Sequence, residues 1–447
     1  MLAILTTHPI QYQVPLWKGL ARRGSVPFKV FYMCDQGLEA RFDPGFGKSL
    51  SWDIDLLGGY ESEFLNAFKH QRLESFWDLR LNPGFRNALR GMRADTLWIQ
   101  GWQVAAYWQA VFEAQRAGVR VWLRGDTNAR SNAGGTGQKL KRLLLRQLLR
   151  RVDRLLYVGE ANRQFYLAQG ISEARLAPAP HCVDNVRFIT AAAAARSERD
   201  RIRREWQIPS EAFCFLFAGK FLAKKRPLDI ILATKRLLDK VRARKIHLLW
   251  VGTGSLGLEL RQSCHVCFDA EGRECINVAN ACDRPSASFV GFLNQSEISR
   301  AYVAADCLVL PSNAKETWGL VINEAMASGL PCIVSNACGC VEDLVEPILP
   351  NLCYPVGDII ALERAMAAVI TKAPAPEVLR AHISKYDVSK TIDAVENLYL
   401  ERAASNSSSS GVSPTWCIGA VDAKEDCFKA QKACPPMAGD RGSVGRR

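Results

Sequence analysis

The stretch FCFLFAGKFLAKKRPLDIILATKRLLDKVRARKIHLLWVG, residues 213–252, places two short apolar runs on either side of a segment with helical character. The runs FCFLFAG and IHLLWVG have the length of buried strands, and PLDIILATKRLLDKV between them is typical of an amphipathic helix. A strand, a helix and a second strand at this spacing indicate a parallel βαβ unit. We therefore predict a Rossmann-like α/β domain around this stretch.

The same alternation of strand-like and helical runs continues on both sides. Toward the C terminus it comprises ASFVGF, the helix SEISRAYVAA, DCLVLPS, the helix INEAMASG and PCIVSN. In the N-terminal half it comprises LAILTT, a helix near WKGLARRG, FKVFYM, TLWIQG, the helix AAYWQAVFEAQRAG, VRVWLRG and LLYVG. The predicted fold class is therefore α/β, with two Rossmann-like domains.

The length of 447 residues also favours two domains, because one hydrophobic core stops growing at roughly 250–300 residues. We predict an N-terminal domain over residues 1–190 and a C-terminal domain over residues 205–385, with a polar connecting segment at 191–205. An amphipathic helix over 386–403 follows. Residues 404–447, which contain the polar run SNSSSSG, lack hydrophobic periodicity and are predicted to form a disordered tail.

The charge balance is basic: 58 Lys and Arg residues against 45 Asp and Glu residues give a net charge of +13. This excess favours an anionic partner, which could be a nucleic acid, a membrane surface or a phosphorylated ligand. The chain has no aromatic-and-basic RNA signature, zinc-finger spacing or helix-turn-helix pattern. Nucleic acid is therefore the least favoured of the three partners.

The predicted compartment is the cytoplasm. The start MLAILTTHPIQYQVP has no basic segment before its apolar run and meets Pro9 early, which argues against a signal peptide. No apolar run approaches the roughly 18 residues needed to span a bilayer. The 15 cysteines are an odd number scattered through strand-like runs, which fits reduced thiols better than a disulfide framework.

Two glutamates follow the strand-like run DCLVLPS: Glu316 and Glu324, separated by seven residues in ETWGLVINEAMASGLPCIVS. A carboxylate accepts two hydroxyl hydrogen bonds, and Trp318, Gly319 and Leu320 can offer backbone N–H groups at a helix start. The alternative interpretation is a solvated acidic helix face. The surrounding sequence, more than the spacing, favours a binding role.

A basic turn follows the strand FCFLFAG. The strand ends at Gly219, and Lys220, Lys224, Lys225 and Arg226 come directly after it, ahead of the next helix. Lysine clusters on loops are usually only solvated. The position between a strand and a helix favours contact with a bound anion.

These two segments resemble the E-x7-E signature and the G-(R/K)-L-x-x-x-K turn of family 4 retaining glycosyltransferases. The resemblance is firm over residues 210–360 and implies the GT-B fold, in which two Rossmann-like domains face a central cleft. It also implies transfer of a sugar from a nucleotide-sugar donor to a hydroxyl acceptor, with a glycan or a lipid-linked molecule as acceptor, and no need for a metal or another cofactor.

The resemblance also implies roles for individual residues. Glu316 would orient the donor sugar and Glu324 would bind ribose hydroxyls, while Lys220 and Lys225 would neutralise the leaving diphosphate. Other family segments match at SFVGFLNQSEIS, where the backbone contacts the base, at the V-G-x-G turn near the nucleotide, and at the interdomain turn HCVDNVRF. The donor-binding residues implied in this way are Gly219, Gly252, Gly254, Gly291, Phe292, Leu293, Trp318, Gly319, Leu320 and Glu324.

An NAD(P)-dependent Rossmann oxidoreductase is the main alternative. The turn VGTGSLG follows a strand and matches G-x-G-x-x-G, with Asp269 and Glu271 in the range of a ribose-binding acid. We rank this alternative lower, because it leaves the glutamate pair and the lysine turn without a role. A non-catalytic binding protein is a third hypothesis.

Candidate acceptor-side residues lie in two loops of the N-terminal half, THPIQYQVP and WLRGDTNA. The first loop follows the first strand and offers His8, Gln11 and Gln13. The second follows a later strand and offers Arg124 and Asp126, for which a structural ion pair is the alternative.

Two weaker patterns are metal-like. Asp53 and Asp55 form a D-x-D, for which a strand-edge pair is the favoured interpretation. Cys264, His265 and Cys267, with Cys275 and Cys282, suggest zinc, but their spacing does not match a common structural site. We predict no metal site.

A basic stripe is predicted on one side of a helix in QKLKRLLLRQLLRRVDRLL, residues 138–156, with Leu144, Leu145, Leu148 and Val152 on the opposite side. The stripe comprises Lys139, Arg142, Arg146, Arg150 and Arg154. One interpretation is a solvated basic face; the other is peripheral docking on the anionic inner face of the cytoplasmic membrane.

Overall fold

Two parallel sheets organise the computed structural model of the protein, which describes residues 1–65, 75–130, 138–240, 245–272 and 284–409. In these residues each sheet has seven strands, with orders β5-β2-β1-β6-β7-β8-β9 and β12-β13-β11-β10-β14-β15-β16. Every strand pairing within both sheets is parallel. The predicted α/β class with two Rossmann-like domains is confirmed.

The strands in chain order are β1 (Leu2–Thr6), β2 (Phe28–Tyr32), β3 (Arg41–Asp43), β4 (Lys48–Leu50), β5 (Ser62–Phe64), β6 (Thr96–Ile99), β7 (Arg120–Gly125), β8 (Arg154–Tyr157), β9 (Leu176–Pro178), β10 (Phe213–Ala218), β11 (Ile246–Val251), β12 (His265–Asp269), β13 (Ser286–Phe289), β14 (Cys307–Leu310), β15 (Cys332–Ser335) and β16 (Cys353–Tyr354). Strands β3 and β4 form a separate antiparallel hairpin.

The helices are α1 (Val14–Arg23), α2 (Phe85–Gly91), α3 (Ala105–Arg116), α4 (Gln138–Arg150), α5 (Glu160–Ala168), α6 (Asn185–Arg196), α7 (Arg199–Glu205), α8 (Leu228–Lys240), α9 (Gly257–Gln262), α10 (Ile298–Ala304), α11 (Leu320–Ala327), α12 (Ile359–Thr371), α13 (Pro376–Ile383) and α14 (Val388–Ser409).

Strand order determines where a ligand can bind. In the C-terminal sheet β10 lies between β11 and β14, and in the N-terminal sheet β1 lies between β2 and β6. The chain direction of the crossovers reverses at these points, so the loops at the carboxyl ends of the strands diverge and leave a crevice. The loops after β10 and β14 carry the lysine turn and Glu316.

The predicted connecting segment at 191–205 is helical. It belongs to α6 and α7, and α6 contacts α10 and α11 of the C-terminal half. The Asp184 carboxylate caps α6 by accepting from the Arg187 backbone N–H at 3.0 Å, and the alanine run that follows has high helix propensity. The domain limits at 1–190 and 205–385 stay predictions.

The C-terminal helix α14 packs on the N-terminal sheet. Val388, Ile392 and Val395 are buried in one cluster with Leu2 and Ile4 of β1. The chain therefore crosses back to its first domain after the second is complete. The predicted limits of this helix and of the tail were wrong, because residues 404–409, assigned to the tail, continue α14. The rest of the predicted tail, residues 410–447, lies outside the described residues.

The predicted basic stripe is wrong at one end. Helix α4 stops at Arg150, and Arg154 opens strand β8. Leu148 and Val152 are buried, but Leu144, which was expected on the core side, is 49% exposed. Exposed leucines therefore lie beside exposed arginines on the part of α4 that the structure describes.

The two halves meet where Gly159 lies against Trp318. A Cβ atom at Gly159 would lie 2.3 Å from the Trp318 ring and 2.6 Å from the Asp343 carboxylate. The backbone at Gly159 is extended, with φ at 177°, so glycine is required here by the lack of space and not by the dihedral angles. Next to it, the Glu160 backbone N–H donates to Asp343 at 2.9 Å.

We predict that Gly159→Ala lowers the melting temperature, because the added methyl group overpacks the contact between the two halves at a cost of about 1–3 kcal/mol. The control is Gly91→Ala, at a helical site with nothing within 4 Å, where alanine should be neutral or stabilising. Differential scanning calorimetry of both variants checks this. An unchanged melting temperature for Gly159→Ala would contradict it.

Candidate active site

Three strand-end loops of the C-terminal sheet are joined by backbone hydrogen bonds. The Gly219 N–H donates to the Val251 carbonyl at 2.9 Å, and the Gly252 N–H donates to the Gly291 carbonyl at 2.7 Å. Gly252 has φ at 122°, and a Cβ atom there would lie 2.0 Å from the Gly219 carbonyl oxygen. The predicted donor-binding glycines 219, 252 and 291 are thus brought together at one edge of the sheet.

The glycine turn VGTGSLG, which suggested an oxidoreductase, is also explained by close packing between loops. A Cβ atom at Gly254 would lie 2.7 Å from the Phe221 carbonyl oxygen, so this glycine lets two loops pack. The two proposed ribose-binding acids, Asp269 and Glu271, both accept hydrogen bonds from the Arg261 guanidinium. The turn and its acids therefore have structural partners within the domain.

Lys225 and Glu316 form an ion pair at the crevice between β10 and β14. The short 3₁₀ turn Ala223–Lys225 positions the lysine, and the loop after β14 positions the glutamate. The two side chains are only 18% and 16% exposed, so each charge depends on the other for compensation. The structure thus brings together a cation and a carboxylate from the two predicted motifs.

Lys220 precedes Lys225 in the same loop after β10 but has a different partner. Its ammonium donates to both carboxylate oxygens of Asp43 at 2.9 Å and lies 4.8 Å from the centre of the Phe46 ring. Phe46 also contacts Phe292 edge to face at 5.1 Å between ring centres. Asp43 and Phe46 belong to the β3–β4 hairpin of the N-terminal half, which no sequence motif indicated.

Glu324 lines a cavity of about 180 Å³ together with Leu320 and Gln11. Helix α11 begins at Leu320 after Gly319, so Glu324 lies one turn inside the helix and not at its start. Burial raises the pKa of this carboxyl, although the hydrogen bond from the Tyr302 hydroxyl at 2.5 Å opposes the rise. The site suits a hydroxyl donor more than a second anion.

The Trp318 side chain does not face this cavity. It is buried, its indole N–H donates to the Asn323 side-chain oxygen at 2.9 Å, and its ring lies 5.7 Å from that of His181. A donor-binding role for Trp318 is therefore limited to its backbone, and that role stays a prediction, as does a base contact for Leu293.

A second cavity, of about 380 Å³, lies between the two halves. Its lining residues come from the loops after strands of both sheets and include Thr7, Tyr12, Gln13, Arg124, Asp126, His181 and Thr317. Of the predicted acceptor-side residues, Arg124, Asp126 and Gln13 are brought together here, whereas Gln11 faces the Glu324 cavity. His8 is adjacent, with its Nδ1 2.9 Å from the Thr7 hydroxyl, and burial lowers its pKa to about 4.

Arg124 and Asp126 have different partners. The alternative interpretation, a structural ion pair between these two residues, was therefore wrong. The Arg124 guanidinium donates to the carbonyls of Ala179 and Pro180 at 3.1 and 2.9 Å. Asp126 accepts from the Thr317 hydroxyl at 2.6 Å. Arg124 thus supports the crossover between the halves, and Asp126 links them beside Glu316.

His181 is a candidate that sequence reasoning assigned only to a hinge. It is buried in the second cavity, and its ring lies 5.7 Å from both Tyr12 and Trp318. Burial and the neighbouring Arg124 hold the pKa of His181 well below its usual range, so the ring is neutral. The available signal was a histidine at a position of the interdomain turn where the family commonly has glycine.

The metal-like patterns have separate surroundings. Asp53 accepts from the Ser296 N–H at 3.1 Å, and Asp55 accepts from the Lys18 ammonium at 3.0 Å. Neither aspartate lies in a strand, so the strand-edge interpretation was wrong. The described residues contain no cluster of three metal-ligating side chains. Cys275 and Cys282 lie outside the described residues.

No helix in the described ranges combines the length and the apolar character that crossing a bilayer requires.

Comparison with known families agrees with the arrangement of the two halves. The family model described as Glycosyl transferase 4-like domain matches residues 15–182, and that described as Glycosyl transferases group 1 matches residues 198–386.

Curated proteins that are similar to this chain include two glycosyltransferases. D-inositol 3-phosphate glycosyltransferase 1 of Catenulispora acidiphila is 28% identical over 210 residues, which are 45% of this chain and 47% of that protein. GDP-mannose-dependent alpha-mannosyltransferase of Mycobacterium tuberculosis is 29% identical over 282 residues, or 62% and 65% of the two chains. The matched part is thus less than two thirds of either relative's length.

Among solved structures, Anabaena HepE in complex with UDP and glucose superposes with a TM-score of 0.59 and 14% sequence identity, over 90% of this chain and 99% of that chain. This likeness shows the fold alone. The oxidoreductase alternative has no support in these relatives. The chain, with its two successive matched domains, belongs to the family 4 glycosyltransferases of the GT-B fold.

Proposed function

We propose that this protein transfers a sugar from a nucleotide-sugar donor to a hydroxyl acceptor, with retention of anomeric configuration and without a metal. The observation that carries the proposal is the Lys225–Glu316 ion pair at the crevice between β10 and β14, with the buried Glu324 on the helix that follows. Parallel α/β sheets bind their ligands at such a crevice. The complex of Anabaena HepE with UDP and glucose supports a nucleotide-sugar donor.

The proposed roles follow from the chemistry of each group. Lys220 and Lys225 neutralise the leaving diphosphate, which is where negative charge develops as the bond between C1 and the phosphate oxygen breaks. Glu316 accepts hydrogen bonds from the sugar hydroxyls, and Glu324 accepts from the ribose hydroxyls. The Gly291–Leu293 backbone contacts the base.

The acceptor hydroxyl attacks C1 on the face from which the diphosphate leaves. Its proton passes to the departing phosphate oxygen, so no general base is required from the protein. The cavity between the two halves, with Arg124, Asp126 and the neutral His181, is the proposed acceptor side. Closure of the two domains over the bound donor would exclude the water that otherwise hydrolyses it.

We further propose peripheral docking on an anionic membrane, where a lipid-linked or polysaccharide precursor would be the acceptor. The support is helix α4, on which Arg142 and Arg146 are exposed beside Leu140, Leu143 and Leu144, which are 61%, 53% and 49% exposed. Exposed leucines with flanking cations are typical of a helix lying in a membrane interface. The location would then be cytoplasmic, on the inner face of the membrane.

We expect Glu316→Ala to reduce sugar transfer about 10²–10³-fold, because a group that orients the reacting sugar is removed. Nucleoside diphosphate binding should be equal or tighter, since Lys225 loses the carboxylate that competes with phosphate. Initial rates and isothermal titration calorimetry check both, with the exposed Glu297→Ala as control. Wild-type turnover in the Glu316 variant would contradict the assignment.

Lys220→Ala and Lys225→Ala should each weaken nucleoside diphosphate binding about 10- to 100-fold, because each removes a hydrogen bond to a charged group. Binding of the nucleoside should change little. The neighbouring exposed Lys224→Ala is the matched control. Titration calorimetry with UDP, GDP and ADP and their nucleosides, in EDTA, tests these roles and the metal independence. Equal losses for diphosphate and nucleoside would argue against them.

For the membrane, we expect the protein to cosediment with anionic vesicles at low salt and to be released at high salt, because each basic residue contributes only about 1 kcal/mol and is screened. Changing Arg142, Arg146 and Arg150 to Glu should abolish binding. A variant with the exposed Arg22, Arg90 and Arg120 changed to Glu has the same net charge and should retain it. Equal binding by both variants would mean that α4 is an ordinary solvated face.

A further inference from the structure

The β3–β4 hairpin and the residues after it, 41–53, reach from the N-terminal half onto the candidate donor site. We call residues 41–53 the hairpin arm. Its turn contacts the loops after β10 and β11, since Asp43 pairs with Lys220 and the Thr253 hydroxyl donates to the Phe46 carbonyl. The end of the arm contacts the loop after β13, where the Asn294 side chain donates to the Ser51 carbonyl at 2.7 Å.

The Lys220 ammonium lies against this arm and stays partly exposed. Asp43 accepts from it through both oxygens at 2.9 Å, and the Phe46 ring lies beneath it at 4.8 Å. The turn has little room, because a Cβ atom at Gly45 would lie 2.9 Å from the Lys220 Nζ. The Asp43 carboxylate therefore makes the kind of contact with Lys220 that an anionic ligand oxygen would make.

The Asp43 carboxylate is itself fixed by its own turn. It accepts the backbone N–H groups of Gly45 at 2.7 Å and Phe46 at 3.1 Å. Partial burial raises the pKa of this carboxyl, but the hydrogen bond from Lys220 and those from the backbone outweigh it and lower the pKa overall. Asp43 is therefore ionised at neutral pH.

The aromatic part of the arm covers the predicted base-contacting residue. Phe46 and Trp52 lie 5.1 and 6.1 Å from the Phe292 ring, and the Lys48 ammonium lies 5.1 Å from the same ring. The arm therefore contacts both the phosphate end and the base end of the candidate donor site. A donor that uses both ends would therefore bind next to the arm.

We propose that Asp43 is an internal competitor of the donor diphosphate: in the empty enzyme it neutralises Lys220, and a nucleoside diphosphate has to displace it. The proposal rests on the proposed function, because it takes Lys220 as a diphosphate-binding residue. Asp43 thereby sets donor affinity without touching the reacting atoms. The competition prevents an uncompensated cation in the empty site and keeps the affinity for the diphosphate product low.

The test is titration calorimetry of UDP, GDP and ADP, with uridine, guanosine and adenosine, against the parent and Asp43→Asn. We expect Asp43→Asn to bind the matching diphosphate about five-fold tighter, which is the scale of a partly exposed ion pair. The nucleoside should gain less. In a Lys220→Ala background the gain should vanish, because the competing pair no longer exists.

Asp53→Asn is the matched control. Asp53 lies on the same arm and also links it to the C-terminal half, by accepting from the Ser296 N–H at 3.1 Å, but it has no contact with Lys220. If loosening of the arm were the cause, Asp53→Asn would give the same gain, and that result would overturn the proposal. Melting temperatures confirm that each variant is folded.

The remaining outcomes distinguish failure of this proposal from failure of the proposed function. Equal diphosphate affinity in the parent and Asp43→Asn contradicts this proposal and leaves the proposed function standing. If a nucleoside diphosphate binds Asp43→Asn but not the parent, Asp43 competes so strongly that it prevents binding in the parent. This result supports the proposal. Failure of both proteins to bind any nucleoside diphosphate contradicts the proposed function and this proposal together.

Discussion

Close backbone contact between the loops that follow β10 and β11 is the constraint on which the candidate donor site depends. The Gly252 Cα lies so near the Gly219 carbonyl that no side chain fits, and the Gly252 N–H continues the contact to the loop after β13. The loop that carries Lys220 and Lys225 is therefore joined through its backbone to the neighbouring loop at the edge of the sheet. In the proposed reaction, charges held in place in this way would lose little free energy to reorganisation.

Each of the two lysines proposed to bind the diphosphate has a carboxylate partner. Lys225 pairs with Glu316 from the same half, and Lys220 pairs with Asp43 from the other half. A partly buried charge without a partner is costly, so each carboxylate compensates the charge of its lysine. If the two lysines bind the donor diphosphate as proposed, donor binding is coupled to the position of the two halves, since one of the two carboxylates belongs to the N-terminal half.

The contact between the halves depends on specific side chains and on one residue that has none. Trp318 fits against Gly159 only because that residue has no side chain, and Asp126 accepts from Thr317, which lies next to Glu316 in sequence. His181 completes the cavity as a neutral ring. The loop that carries Glu316 therefore depends on the N-terminal half for its position.

The sequence by itself determined the alternating strands and helices and the lysine and glutamate segments at strand ends, because hydrophobic periodicity is a local property of the chain. Helix limits were less certain: the basic stripe was extended through Arg154, which opens a strand, and the segment at 191–205 was taken as a connection although it is helical. Only the tertiary structure decided the partners. Asp43 and Lys220 are 177 residues apart, and α14 returns to the first sheet, so neither contact leaves a periodic signal in the sequence. Such contacts depend on the path of the chain in space, and no local preference of the residues involved specifies it.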